Sequence, residues 1–273
     1  MSGAGSPGST TIDEAPLAPE APDEVSLLSV QGLVVDFGVT RAVSDVSFDL
    51  PSGAVMAVLG TNGAGKSTVA SAISGLVIPT SGRVELDGRD VTSWPAHRVA
   101  RLGVTHVLEG RGVFPGLTVA ENLRLSMSRT VAKSERSDAV ARALDLFPVL
   151  AERRKQAVST LSGGERQMLA LARVLAVPPR LLVADELSLG LAPKLVEMTF
   201  EVLAKAKDAG VTVVLVEQFI ERALELADTA IILRRGRMVW SGTAAEAGAT
   251  VLDEYLGVDE QQAAVAAGVE EGT

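Results

Sequence analysis

One stretch constrains this chain more than any other: Gly60-Thr61-Asn62-Gly63-Ala64-Gly65-Lys66-Ser67-Thr68. It follows a short apolar run, Val55-Met56-Ala57-Val58-Leu59, and precedes a segment of helical character. Glycines at these spacings let successive backbone N–H groups turn inward around phosphate oxygens, a lysine brings positive charge to the β- and γ-phosphates, and a hydroxyl directly after it is placed to ligate Mg2+. The plain alternative is a glycine-rich turn that only caps a helix. A strand on one side and a helix on the other weigh against that, so residues 60–68 are expected to hold ATP, with Lys66 on the phosphates and Ser67 on the metal.

Such a loop needs an α/β core around it. Residues 181–184, 213–216 and 231–233 are, like 55–59, short continuous apolar runs of the kind buried on both faces of a parallel sheet. The stretches around Leu33-Val34-Val35 and Val46-Ser47-Phe48-Asp49-Leu50 alternate instead, and Arg83-Val84-Glu85-Leu86 runs into Asp87-Gly88; these predict a small, partly antiparallel sheet. Val140, Ala143, Leu144 and Phe147 share a helical spacing, as do Met168, Leu171, Ala172 and Leu175. Between about 94 and 161 no strand run stands out, so a helical subdomain at about 94–165 is expected as an insertion in the core. Arg235-Gly236 reads as a turn. One domain is expected over 25–258, flanked by disordered tails at 1–24 and 259–273 that cannot bury enough apolar surface to offset chain entropy.

Composition excludes several function classes. A net charge of −9 argues against a general nucleic-acid binder, and the absence of cysteine leaves no thiolate metal site and no disulfide framework. No stretch reaches the length of a bilayer-spanning apolar helix, so any membrane role is expected to be peripheral and the chain is expected in the cytoplasm.

Two further constellations carry chemistry. Leu181-Leu182-Val183-Ala184 ends in Asp185-Glu186. On a neighbouring strand of the same sheet, Asp185 would hold Mg2+ directly or through water, while Glu186 would orient or deprotonate the attacking water. An acidic pair at a strand end is often only solvated, but a nucleotide site requires a metal-holding acid after a second strand. Leu161-Ser162-Gly163-Gly164-Glu165-Arg166-Gln167 stands just before the helix carrying Met168, and presents a hydroxyl, glycine N–H groups and a helix N-terminus to an anion. Alone it could be a simple helix cap.

The order of the phosphate loop, Leu-Ser-Gly-Gly-Glu and Asp-Glu resembles the ATP-binding cassette (ABC) family, over about residues 27–258. The resemblance implies a P-loop NTPase core in which the signature of one subunit closes on ATP held by the phosphate loop of another. Ser162, Gly163 and Gly164 would then contact the γ-phosphate in the partner's site, and Phe37 takes the place of the family's adenine-stacking aromatic. The implied partners are a second ABC ATPase subunit and membrane-spanning permease subunits.

Three departures narrow the branch. Glu109, in Leu108-Glu109-Gly110-Arg111, replaces the usual Gln as nucleotide and metal contact; Gln218, in Val216-Glu217-Gln218, replaces the usual His beside the γ-phosphate; and Ser188-Leu189-Gly190-Leu191-Ala192-Pro193 follows Glu186. The histidines, His97 and His106, lie far upstream, so neither fills the switch position. Together these resemble the shorter ATPase of branched-chain amino acid importers, although Leu108 and Leu187 stand where that branch usually has Pro. Related importers of urea or short amides share much of this pattern; the competing readings are a soluble ABC-type ATPase in cofactor assembly or another non-transport process and a nucleotide-binding regulator without turnover, and Glu186 speaks against the last.

Overall fold

Alternation of inward apolar and outward polar residues starts the chain's structure, which as a computed structural model describes residues 26–108, 112–127, 131–145 and 147–248. Strands β1 (Ser26–Phe37) and β2 (Thr40–Pro51) form an antiparallel hairpin. The order of this sheet is completed after β3 (Val55–Gly60), by β4 (Ser81–Leu86) and the short β5 (Arg89–Asp90), giving β2-β1-β4-β5. Leu28, Leu33, Val35, Val43, Val46 and Leu50 bury its inner face.

The second sheet is six-stranded. It contains β3, β6 (Val104–Leu108), β7 (Leu181–Asp185), β8 (Thr212–Val216), β9 (Thr229–Arg234) and β10 (Arg237–Thr243) in the order β10-β9-β3-β8-β7-β6. All its pairings are parallel except the β9–β10 hairpin, which turns at Arg235 and Gly236, both with positive φ. The continuous apolar runs follow from burial on both faces. Met56, Val58, Leu181, Val183, Val214 and Val216 pack toward the antiparallel sheet and α1 (Lys66–Ile73). Their alternate neighbours, including Ala57, Leu59, Leu182, Ala184, Val213 and Leu215, face the opposite core. Each fully buried Leu or Val side chain on these strands contributes about 1.5–3 kcal/mol.

That opposite core is built with helices. After α2 (Ala96–Val99) come α3 (Val119–Met127), α4 (Arg136–Asp145), α5 (Pro148–Glu152) and α6 (Gly163–Ala176), then α7 (Pro193–Asp208) and α8 (Ile220–Leu226). Leu123, Met127, Leu150 and Leu169 are fully buried where α3, α5 and α6 meet. Among the described residues no helix is long and apolar enough to cross a membrane.

Three expectations change. The span 94–165 is not wholly helical, because β6 lies inside it and pairs with β7. It escapes a hydrophobicity reading because Thr105 and His106 interrupt its apolar residues and it sits at a sheet edge. The helical segments inserted after it begin at α3. Phe147 is buried, yet it precedes α5 rather than continuing α4, which ends at Asp145. Finally, β7 is in the same sheet as β3 but is not its neighbour, since β8 lies between them. Expectations for 1–24 and 259–273 fall outside the described residues.

Candidate nucleotide site

The C-terminal ends of β3, β7 and β8 lie along one edge of the parallel sheet, where ligands of open α/β sheets characteristically bind. The phosphate loop leaves β3 there. Gly60 has φ of 150°, and a Cβ on it would stand 2.4 Å from the Leu233 carbonyl oxygen, so only glycine lets the loop turn that close to β9. Gly65, at φ 104°, is the N-cap of α1, and a Cβ there would meet the Ala42 carbonyl at 2.8 Å. The antiparallel sheet therefore abuts the loop. Thr61, Asn62 and Gly63 are exposed, while Ala64 is buried and fixes the loop's base, its carbonyl accepting from the Gly236 amide at 2.9 Å. Thr68 continues α1 and is half-buried.

Lys66 is only 3% exposed. Its ammonium donates to Gly60 O at 2.9 Å and Thr61 O at 3.2 Å, and stands 3.8 Å from Glu186 Oε1. Burial pushes its pKa below the usual lysine range, and the carboxylates of Glu186 and Asp185 oppose that shift. One residue further, the Ser67 hydroxyl donates to Asp185 Oδ1 at 2.9 Å. The sequence separates these two residues by 118 positions, and α1 and β7 bring them together.

Glu186 adopts φ of 50°, a left-handed conformation unusual for a non-glycine residue, and its amide donates to Val216 O at 2.8 Å. The turn carries its carboxylate from the strand end toward Lys66. Such positions persist where surrounding structure over-determines them. Gln218, just past β8, is exposed; its amide donates to Glu217 Oε2 at 3.3 Å. Phe37 closes β1, pairs with Thr40 at the hairpin tip, and is 54% exposed, leaving a free ring face on the hairpin that abuts the loop.

Ser162 is the N-cap of α6 in a complete capping box: its hydroxyl accepts from the Glu165 amide at 3.2 Å and its own amide donates to Glu165 Oε2 at 2.8 Å. Ser162 and Gly163 are exposed, and a Cβ on Gly164 would fall 2.1 Å from Leu195 Cδ1, where α6 meets the start of α7. No hydrogen bond among the described residues joins Ser162, Gly163 or Gly164 to the phosphate loop. Glu109 lies outside the described residues.

Two residues enter the site that sequence reasoning passed over. Glu217, 1% exposed, accepts from Ser188, and burial raises its pKa. An acid immediately after a fully buried strand was the available signal. His106 lies beside Asp185, a proximity that follows from the β6–β7 pairing and has no local signature.

Comparison with known proteins settles the lineage. The ABC transporter family profile matches residues 43–188, more than half of the chain. The chain belongs to that family. This ABC ATPase is 40% identical over 233 residues to the high-affinity branched-chain amino acid transport ATP-binding protein BraG of Pseudomonas aeruginosa, covering 85% of this chain and 100% of that one. It is 43% identical over 203 residues to the probable branched-chain amino acid transport ATP-binding protein LivF of Archaeoglobus fulgidus, covering 74% and 86%. The solved ATP-binding subunit of an ABC transporter superposes with a TM-score of 0.74 at 25% identity, over 88% of this chain and 99% of that one. The cbiO1 protein of Clostridium perfringens shares the fold, with a TM-score of 0.72 at 23% identity over 86% and 97%.

The ABC residues also suit a magnesium ion. Ser67 Oγ and Asp185 Oδ1 lie side by side at 2.9 Å, so a hydroxyl and a carboxylate oxygen stand together beside the phosphate loop. Among the described residues no group of three or more His, Cys, Asp or Glu gathers as a dedicated cage. One carboxylate, one hydroxyl and substrate phosphates form the donor set that Mg2+ favours.

Proposed function

We propose that this ABC ATPase powers an importer of branched-chain amino acids, working as one of two ATPase subunits on the cytoplasmic side of a membrane-spanning permease. The observation that carries the chemistry is the convergence of Lys66, Ser67, Asp185 and Glu186 within hydrogen-bonding or ion-pairing distance at one sheet edge. Lys66 holds the β- and γ-phosphates, exchanging its bonds to Gly60 O and Thr61 O for phosphate oxygens. Phe37 stacks on the adenine. Ser67 and Asp185 hold Mg2+, with Glu109 as a further contact, and the metal supplies charge neutralisation on the phosphates. Glu186 orients the attacking water and accepts its proton, and Gln218 donates to the γ-phosphate, which as a neutral amide it does without titrating.

Pairing follows from the signature. Ser162 and Gly163 are exposed at the α6 N-terminus and Gly164 is half-buried beside them, none with a hydrogen bond among the described residues to its own phosphate loop, which suits contact with ATP held by a second subunit. That second subunit is proposed to be unlike this one. Identity to BraG is 40%, against 30% to BraF, another high-affinity branched-chain amino acid transport ATP-binding protein of the same Pseudomonas aeruginosa strain.

The test is to purify the chain with whatever membrane proteins accompany it, reconstitute them in vesicles, and measure ATP-driven uptake of leucine, isoleucine and valine beside ATP hydrolysis. Uptake that needs both ATP and an intact Glu186 is expected. Co-purification with a soluble assembly factor and no permease would instead favour a role in cofactor assembly.

A further inference from the structure

His106 is the residue whose placement the phosphate-binding chemistry leaves unexplained. It lies on the edge strand β6, paired with Val183, while Leu108 pairs with Asp185. Because side chains alternate along a strand, His106 and Asp185 project to the same face of the sheet, the one covered by α1. The His106 side chain is 6% exposed and that of Asp185 7%. The ring's Nδ1 lies 2.7 Å from Ser74 Oγ, and its Nε2 has no hydrogen-bond partner and lies 3.9 Å from Asp185 Oδ2. A buried ring nitrogen without a partner costs free energy unless its neighbour is one it serves.

The two ends of α1 frame this pair. Ser67 and Ser74 are seven residues apart, two helical turns, and so fall on one face of the helix. Ser67 donates to one oxygen of Asp185, while Ser74 anchors the imidazole that faces the other oxygen. The carboxylate thus lies between the Ser67 hydroxyl, hydrogen-bonded to Oδ1, and a ring nitrogen 3.9 Å from Oδ2. The ring's hydrogen bonding admits two arrangements. The Ser74 hydroxyl either donates to Nδ1, which leaves the proton on Nε2 facing Asp185, or donates to Ala70 O at 3.0 Å and accepts from Nδ1–H, which leaves a lone pair facing the carboxylate. Of these two forms of the neutral ring, only the first places an N–H donor against the carboxylate.

We propose that His106 is a positioning residue for the metal-holding carboxylate: its Nε2–H, aimed by Ser74, restrains Asp185 Oδ2 so that Oδ1 stays turned to Ser67 and the metal. The inference rests on the reading of Asp185 and Ser67 as the Mg2+ holders. Outer-shell donors to a metal-binding side chain typically change metal affinity about 10–100-fold when removed.

The experiment measures, on the full chain, the free Mg2+ concentration that half-saturates the rise in melting temperature produced by ATP, with an EDTA control for ATP binding without metal. His106→Phe, which fills the space without a donor, is expected to raise that concentration about tenfold or more while leaving the EDTA control unchanged. His106→Gln, whose side-chain amide can reach the Nε2 position, is expected to restore it to within a few-fold of the parent. Equal Mg2+ requirements for parent and His106→Phe would overturn the proposal, as would a His106→Gln variant as impaired as His106→Phe. Should His106→Phe fail to fold, Ser74→Ala releases the ring's anchor and is expected to raise the Mg2+ requirement in the same direction; no change would overturn the proposal. With only two histidines in the chain, 15N spectra resolve the tautomer, and an Nδ1–H form with bare Nε2 would also overturn it. A parent whose ATP response is the same with and without Mg2+ would overturn the underlying reading of Asp185 and Ser67 instead.

Discussion

Ser188 and Glu217, 29 residues apart in the chain, are joined in the interior: the Ser188 amide donates to Glu217 Oε1 at 3.1 Å and the Ser188 hydroxyl donates to Oε2. The contact ties the loop after β7 to the end of β8. Glu186 lies two residues before one partner and Gln218 directly after the other, so the proposed general base and the proposed γ-phosphate contact share one support. Burial holds the Glu217 carboxyl above the usual glutamate range, with its hydrogen bonds to Ser188 and Gln218 opposing the shift and the Glu186 charge adding to it.

That raised pKa makes a signed prediction. Between the ordinary glutamate value of 4.5 and the higher folded value, the folded chain binds more protons than the unfolded one, so stability falls as pH rises through that window. Glu217→Gln removes the titration and should flatten the decline, gaining melting temperature relative to the parent as the pH is raised above 4.5. Melting curves of both proteins across pH decide it, and parallel profiles would refute it.

Glu186→Gln should retain ATP binding and lose turnover by about 10²–10⁴-fold, the usual worth of a positioned general base. The amide keeps the side chain's size and accommodates the same left-handed turn, so the melting temperature is expected to stay near that of the parent. ATP hydrolysis and ATP binding measured on the same preparation separate the roles. Retained turnover would move the base elsewhere.

Lys66→Ala should weaken ATP binding by about 10–100-fold, as expected for losing a charge-assisted hydrogen bond of about 1.5–3 kcal/mol. Calorimetric titration checks it. Because the ammonium is buried at a desolvation cost, the alanine chain without nucleotide is expected to melt no lower than the parent.

What the sequence made legible was whatever had a local cause. Residues 60–68 declare a phosphate loop because its glycines and lysine are contiguous, and 55–59, 181–184 and 213–216 declare buried strands because both faces are apolar. The ABC resemblance rests on the same kind of signal. Thr105 and His106 hid β6, since an edge strand can carry polar side chains where a central one cannot. Strand order was equally hidden: that β8 separates β3 from β7 depends on long-range pairing. The same pairing, with no nearby residue to announce it, makes His106 a neighbour of Asp185 and lets Glu217, rather than Gln218 alone, matter at the end of β8.

Ser162 has one observed job, capping α6, and one proposed, contacting ATP in a paired subunit, and substitution can separate them. As N-cap of α6 its hydroxyl accepts from the Glu165 amide, and losing that bond in Ser162→Ala should cost about 1 kcal/mol, or about 2–4 °C in melting temperature for a domain of this size. Aspartate is as good an N-cap as serine, so Ser162→Asp should melt near the parent. Its negative charge, however, would face the γ-phosphate of ATP in the paired subunit, where the helix N-terminus and the hydroxyl favour an anion. Ser162→Asp is therefore expected to lose ATP-dependent pairing while keeping its fold, whereas Ser162→Ala loses both in part. Sedimentation with and without ATP, set beside melting curves, reads the two effects independently. Unaltered pairing by Ser162→Asp would confine Ser162 to the helix cap and remove it from the nucleotide contact.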